Sequence, residues 1–269
     1  ATRALLPARP GDPLRAALDD LALPYDAVPV DGEVRSNITI AESDGTTTKI
    51  NAPGVTLTGP DREALVGLIR EHAGSAQWVT LCGSLPPGVP DDWYRSIADD
   101  LVLAGCRVAV DTSGAPLRAS VTGRVDLIKP NEDELAELTG ADPGQLREAL
   151  ARNDLGPVID AAATIAEQIG GNVLATLGAV GAVLVTASGV WSATPPPIVP
   201  RSTVGAGDSS LAGYLIAQST GAAPADCLRS AVAYGAAAAS LAGTQAPTPD
   251  HLDLPGVRVT ELSGAARMT

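Results

Sequence analysis

The sequence predicts an α/β fold: a three-layer α/β/α body around a mostly parallel sheet, with a small β-flap lid. Three observations point there. Short apolar runs alternate with helical patterns from residue 60 to residue 245, the order expected of crossover units. Residues 27–52 instead alternate apolar and polar side chains, which suits exposed antiparallel strands. Hydrophobic residues make up 45% of the 269, enough for a large buried core.

The apolar runs QWVTLC (77–82), RVAVD (107–111), VDLIK (125–129), VLATL (173–177) and AVLVT (182–186) have the length and uniformity of strands covered on both faces. Helical spacing falls near 60–72, 91–104, 131–138, 157–169, 208–219 and 224–242. Parallel sheets bind ligands at the carboxyl ends of their strands, so the turns after these runs are where chemistry is expected. Within 27–52, Asp44-Gly45 is a hairpin signal. That segment is expected to be a flap, with a plain surface hairpin as the alternative. The expected division is an α/β/α body of 1–26 and 53–269 with a lid of 27–52. TPPPIV at 194–199 is expected to be a stiff loop. Phe is absent and aromatic residues total 3%, so Ala, Val, Leu and Ile must build the core.

The net charge of −13, with scattered Lys and Arg, argues against nucleic acid and against an anionic membrane surface. A small phosphorylated substrate needs only a local basic pocket. Cys82, Cys106 and Cys227 form no CxxC pair; reduced cysteines in a cytoplasmic protein fit best. His72 and His251 stand alone, which leaves no His-based zinc site. No basic-then-apolar leader pattern opens the given residues. The longest run of small apolar residues, AVAYGAAAA at 231–239, is far short of the ~20 residues of a membrane span.

STVGAGDSSLAGYL at 202–215 is the most informative stretch. Amides at a helix start make an anion site, strongest where small residues let a phosphate come close. An aspartate there competes with the anion, unless Asp208 acts beside a phosphoryl group. The alternative is a Gly-rich turn with Asp208 as N-cap. In GSLPPG (83–88), Ser84 can offer a hydroxyl to a ligand or simply sit in a turn. In KPNEDE (129–134), Asn131 and Glu134 have capping-box spacing; Glu134 could also help hold hydrated Mg²⁺, with Asn131 beside a nucleotide. In ATLGAVGAV (175–183), Gly178 and Gly181 could admit a nucleotide or merely permit a hairpin. Lys49 and Arg35 are flap cations that suit an anionic substrate. The P-loop, the dinucleotide G-x-G-x-x-G and the protein-kinase motifs are all missing. GDSS at 207–210 lacks a nucleophile elbow.

Taken in order, GSLPPG, VDTSG, KPNEDE, TLGAVG and VGAGDS resemble the PfkB (ribokinase-like) sugar kinases from about residue 10 to 245. VRSN and TTKINAPG look most like the branch holding the phosphofructokinases, 1-phosphofructokinase among them, and tagatose-6-phosphate kinase. The resemblance implies an ATP- and Mg²⁺-using kinase acting on a phosphosugar, with fructose 1-phosphate as the expected acceptor. Tagatose 6-phosphate, fructose 6-phosphate and a non-catalytic, nucleotide-binding relative are the alternatives. It implies Asp208 as catalytic base and the Gly205, Ala206 and Gly207 amides as anion hole. It implies Asn131, Thr176, Gly178 and Gly181 at the nucleotide. Lys49, Ser84 and Arg35 are implied at the substrate, and Glu134 and Asp111 on the metal side. A homodimer through the β-flap is also implied. Family members carry an earlier strand with a substrate-binding aspartate and a GGKGxN-type segment; neither is in the given residues, so an N-terminal portion is expected to be missing. Ser202 stands where many members have aspartate.

Overall fold

The computed structural model describes residues 2–41 and 47–264. It contains β1 (Ala4–Pro7), α1 (Pro13–Asp20), β2 (Tyr25–Val28), β3 (Asn37–Ala41), β4 (Thr47–Asn51) and α2 (Gly59–Ala73). Then follow β5 (Trp78–Cys82), α3 (Trp93–Leu103), β6 (Arg107–Asp111), α4 (Gly114–Ser120), β7 (Leu127–Ile128), α5 (Glu132–Thr139), α6 (Pro143–Ala151) and α7 (Gly156–Ile169). The last elements are β8 (Asn172–Thr176), β9 (Ala182–Thr186), β10 (Gly189–Thr194), α8 (Ala206–Ser219), α9 (Pro224–Ser240) and β11 (Arg258–Gly264).

The chain divides into two compact units, residues 1–76 with 84–93 and residues 77–83 with 94–269. In the first, β1 and β2 pair in parallel and β3 and β4 pair antiparallel, as two separate two-stranded sheets. The opening residues, expected with the body, thus fall in the same unit as the 27–52 flap. The expected Asp44-Gly45 turn lies outside the described residues. Asp12 caps α1, accepts from the Leu14 and Val34 amides at 3.0 Å each, and is buried. Val30, Val55, Leu57 and Leu65 form this unit's small core.

The second unit holds a seven-stranded sheet in the order β11-β10-β9-β8-β7-β6-β5. Strands β5 to β8 run parallel; β9, β10 and β11 extend the sheet antiparallel. Every residue of β9 is buried, as a strand covered on both faces must be. Leu174 and Leu184 join Leu211, Leu228, Ala231 and Val232 in one cluster, so that face is covered by α8 and α9. Their neighbours Val173, Val183 and Val185 alternate to the other face, where α7 packs on β8 and β9. The core is aliphatic, as the missing Phe requires; Trp191 and Tyr214 are its aromatic members in this cluster. The expected strands and helices are found within a few residues of their expected bounds. Among the described residues no helix is long and apolar enough to cross a membrane.

Leu174 is fully buried. Leu174→Ala should cost about 2–5 kcal/mol through lost transfer energy and a residual cavity, lowering the thermal midpoint by several degrees. A midpoint equal to that of the wild type would contradict this packing.

Candidate functional site

The carboxyl ends of β5, β6 and β7 lie side by side, because Cys82 is in register with Asp111 and Val110 with Ile128. The side chains just past those ends form a polar cluster in an otherwise apolar sheet. Lys129 follows β7 directly and is 5% exposed. Its Nζ lies 3.1 Å from Asp111 Oδ1, a carboxylate whose side chain is 14% exposed. Burial pushes the Asp111 pKa up, the Lys129 ammonium pulls it back, and the nearby Asp208 carboxylate adds to the rise. Cys82 is solvent-accessible, yet the packing around its thiol first, and then the Asp111 and Asp208 carboxylates, push its pKa up to about 11. Asp208, Asp111 and Cys82 therefore share one electrostatic neighbourhood.

Asp208 sits in the first turn of α8. Gly205 is the N-cap, at φ +77°, and no side chain caps the turn. The capping alternative for Asp208 is thus not what the chain does with it. Its side chain is exposed. Helix geometry leaves the first amides without intrahelical acceptors. Of those expected in the anion hole, the Ala206 amide donates to the Thr203 carbonyl at 3.3 Å. Gly207 has a second property: a Cβ placed on it would stand 3.2 Å from Lys129 Nζ. The glycine lets the ammonium come up against the helix start.

Asn131 and Glu134 form a full capping box on α5. The Glu134 amide donates to Asn131 Oδ1 at 2.8 Å, and the Asn131 amide donates to Glu134 Oε2 at 2.9 Å. Glu134 is half-buried, and burial raises its pKa against the pull of its cap bond and of Lys129. One carboxylate oxygen is engaged by the cap; the other is not needed there. Among the described residues no three His, Cys, Asp or Glu side chains gather as a direct metal-ligand set. Glu134, with one carboxylate oxygen outside the cap, is the kind of donor that a largely hydrated Mg²⁺ would use. Asp111 is already matched to Lys129.

Thr176 joins this neighbourhood through its backbone. It bridges Asn131 in parallel, and its amide donates to the Pro130 carbonyl at 2.9 Å. Gly178 and Gly181 bracket the turn from β8 to β9. They differ in kind. Gly178 has open space where a Cβ would stand, whereas at Gly181 that position is 1.9 Å from the Ala193 carbonyl oxygen. The chain's own β10 demands the second glycine.

The substrate-side candidates belong to the other compact unit. Arg35 is half-buried and lines a shallow cavity of about 350 Å³ with Gly32, Val34, Ser36 and Gly54. Ser84 is exposed in the turn after β5. Lys49 lies on β4 in register with Thr39. His251 Nδ1 accepts from the Thr248 amide at 3.0 Å, a local cap of its own.

Lys129 was absent from the candidates read off the sequence. The signal was present: a lysine ends the apolar run VDLIK, and a charge at the end of a buried strand is seldom idle.

A model of the pfkB family carbohydrate kinases matches residues 6–251. The chain belongs to the pfkB carbohydrate kinase family. It is 35% identical over 223 residues to the 1-phosphofructokinase of Rhodobacter capsulatus, covering 82% of this chain and 68% of that relative. It is 32% identical over 248 residues to the ATP-dependent 6-phosphofructokinase isozyme 2 of Mycobacterium tuberculosis, covering 90% and 69%. Its fold matches phosphofructokinase-2 from Escherichia coli in complex with potassium. The TM-score is 0.82 at 28% identity, over 93% of this chain and 79% of that one. The ribokinase-like architecture expected of a PfkB member is therefore present.

The raised thiol pKa makes a chemical prediction. With a pKa near 11, Cys82 holds about 200-fold less thiolate at pH 8 than an ordinary cysteine near 8.5. Cys82 is accessible to reagent, so iodoacetamide should label it slowly in the native protein, at a rate limited by thiolate that climbs steadily as pH rises from 8 to 10. Rapid labelling that levels off near pH 8.5 would contradict this environment.

Proposed function

We propose that this PfkB kinase transfers the γ-phosphoryl group of ATP to a hydroxyl of a phosphosugar, with fructose 1-phosphate as acceptor and fructose 1,6-bisphosphate as product. The observation that carries the proposal is Asp208: an exposed carboxylate in the first turn of α8, free of any capping bond, beside the buried Asp111–Lys129 pair. The acceptor O–H gives its proton to Asp208 as the new O–P bond forms. The bond from the γ-phosphorus to the ADP oxygen breaks, and ADP leaves with that electron pair. Such transfers have a loose transition state and depend on positioning and charge stabilisation. The α8 amides meet the charge on the transferring oxygens. Mg²⁺, when bound with the nucleotide, neutralises phosphate charge, and Glu134 would hold its hydration shell. Asn131, Thr176, Gly178 and Gly181 are assigned to the nucleotide on the strength of the family motifs.

Lys49, Arg35 and Ser84 are assigned to the sugar phosphate on the same motifs, with the 27–52 flap as the lid. Ile38 and Ile50 are cross-strand partners on β3 and β4, 55% and 52% exposed. A second copy covering them would make the homodimer that the flap resemblance implies. A cytoplasmic location fits three unpaired cysteines.

Coupled ADP release with fructose 1-phosphate, fructose 6-phosphate and tagatose 6-phosphate tests the acceptor. Turnover should be highest with fructose 1-phosphate. ATP binding without turnover on any of the three would mark a non-catalytic relative and end the kinase proposal. Asp208→Asn should lower kcat about 10²–10⁴-fold, the usual worth of a positioned base, with ATP affinity retained; an unchanged kcat would remove Asp208 from the role. Lys49→Ala should mainly raise the KM of the phosphosugar. An equal rise for ATP and sugar would refute the Lys49 assignment.

A further inference from the structure

Strand β5 stands last in the order of its sheet and bonds to β6. The outer carbonyls of such an edge strand ordinarily lack a ladder partner. At the end of β5 two successive carbonyls meet buried side-chain hydroxyls instead. The Gly83 amide donates to the Asp111 carbonyl on β6 at 2.8 Å. A trans peptide points its C=O and N–H opposite ways, so the Cys82 carbonyl faces away from β6. There Tyr94 Oη, from the first turn of α3, donates to it at 2.9 Å. The next carbonyl, that of Gly83, accepts from Thr112 Oγ1 at 2.9 Å. Tyr94 is 8% exposed and Thr112 5%. By the same peptide rule the Ser84 amide points away from Thr112, and Ser84 itself is exposed. Its amide donates to no carbonyl among the described residues. Gly83 stands at φ +83° with open space where a Cβ would be, so the glycine serves the turn and not a close contact.

We propose that Thr112 and Tyr94 are positioning residues for the phosphosugar. They lock the two peptides that enter the turn, and so aim the amide and hydroxyl of Ser84 at oxygens of the sugar phosphate. This rests on the phosphotransfer proposal above and on its assignment of Ser84. An N–H and an O–H from one residue suit an oxygen-rich anion, because both can donate. Donors that are already fixed lose little conformational freedom on binding, which is how pre-organisation strengthens a complex. A loose turn would have to be ordered by the ligand at each encounter. Thr112 governs the peptide that carries the Ser84 amide, and Tyr94 the one before it, so the effect should be graded. The nucleotide is assigned to other turns, so its affinity should not follow.

Variants that delete one hydroxyl each test the proposal on the intact chain. Calorimetric titrations use ADP and, in turn, fructose 1-phosphate, fructose 6-phosphate and tagatose 6-phosphate. Thr112→Val keeps the shape of the side chain and should weaken the best-bound phosphosugar about tenfold, and Tyr94→Phe about threefold. ADP affinity should stay as in the wild type. Thr112→Ser keeps the hydroxyl and drops the methyl; it should bind the phosphosugar like the wild type, which general damage to a buried position would not allow. In steady state the same losses should appear in phosphosugar KM, with kcat within about twofold of the wild type. Should Thr112→Val fail to fold, Tyr94→Phe decides by the same split between sugar and ADP. Full phosphosugar affinity in the Val and Phe variants, an equal loss for ADP, or binding by Thr112→Ser as weak as by Thr112→Val would overturn the proposal. So would a wild type that binds no phosphosugar. A wild type that binds a phosphosugar and never turns it over ends the kinase proposal alone, and the titrations still decide the part played by Thr112.

Discussion

Lys129 emerges from the apolar strand β7 with its ammonium nearly closed off from water, and Asp111 at the end of β6 answers it at 3.1 Å. Removing either partner alone would strand a buried charge, which is far more costly than the pair is stabilising. The parallel register that sets β6 beside β7 therefore does more than hold the sheet together. It puts a matched pair of charges below the helix start that carries Asp208. The remaining polar groups are arranged around that pair. Gly207 leaves room for the ammonium, Glu134 stays within its field, and the pKa of the accessible Cys82 thiol is raised by the packing around it and the nearby carboxylates.

Several motif residues serve the fold as well as the site. Asn131 and Glu134 close a reciprocal capping box, which rigidifies the turn that also brings Asn131 beside Thr176. Gly181 is glycine because Ala193 occupies the space a Cβ would need. A group fixed by the scaffold is pre-organised, and phosphoryl transfer depends on pre-organised groups more than on reactive ones. Structural and chemical explanations of the N-x-x-E element are therefore compatible. One oxygen of Glu134 completes the cap, and the second lies outside it.

Legibility followed burial and periodicity. The strands at 107–111 and 182–186 were readable to the residue, because both are continuous apolar runs with clear ends. Strand β10 was not anticipated, since GVWSAT mixes Ser and Thr into its run, and β11 follows irregular Pro-rich chain. The short helices α1, α4 and α6 carry seven to nine residues each, too few for a periodic signal to stand out, whereas the equally short α5 was marked by its N-x-x-E capping signal. Asp208 was legible because GAGD before a helical pattern is chemically odd. Lys129 was missed because a lysine at a strand end usually reads as the start of a solvated turn.

By itself the sequence determined the α/β class, the aliphatic core and the family, since these depend on composition, alternation and the order of short motifs. It also narrowed the chemistry to a few turns after strands. Only the tertiary structure decided which of those turns meet. The Asp111–Lys129 pair, the closeness of Lys129 to Gly207 and the electrostatic link from Asp111 to Asp208 join residues 18 to 97 positions apart. Nothing in local spacing encodes such contacts, because strand pairing and helix packing set them through the sheet as a whole.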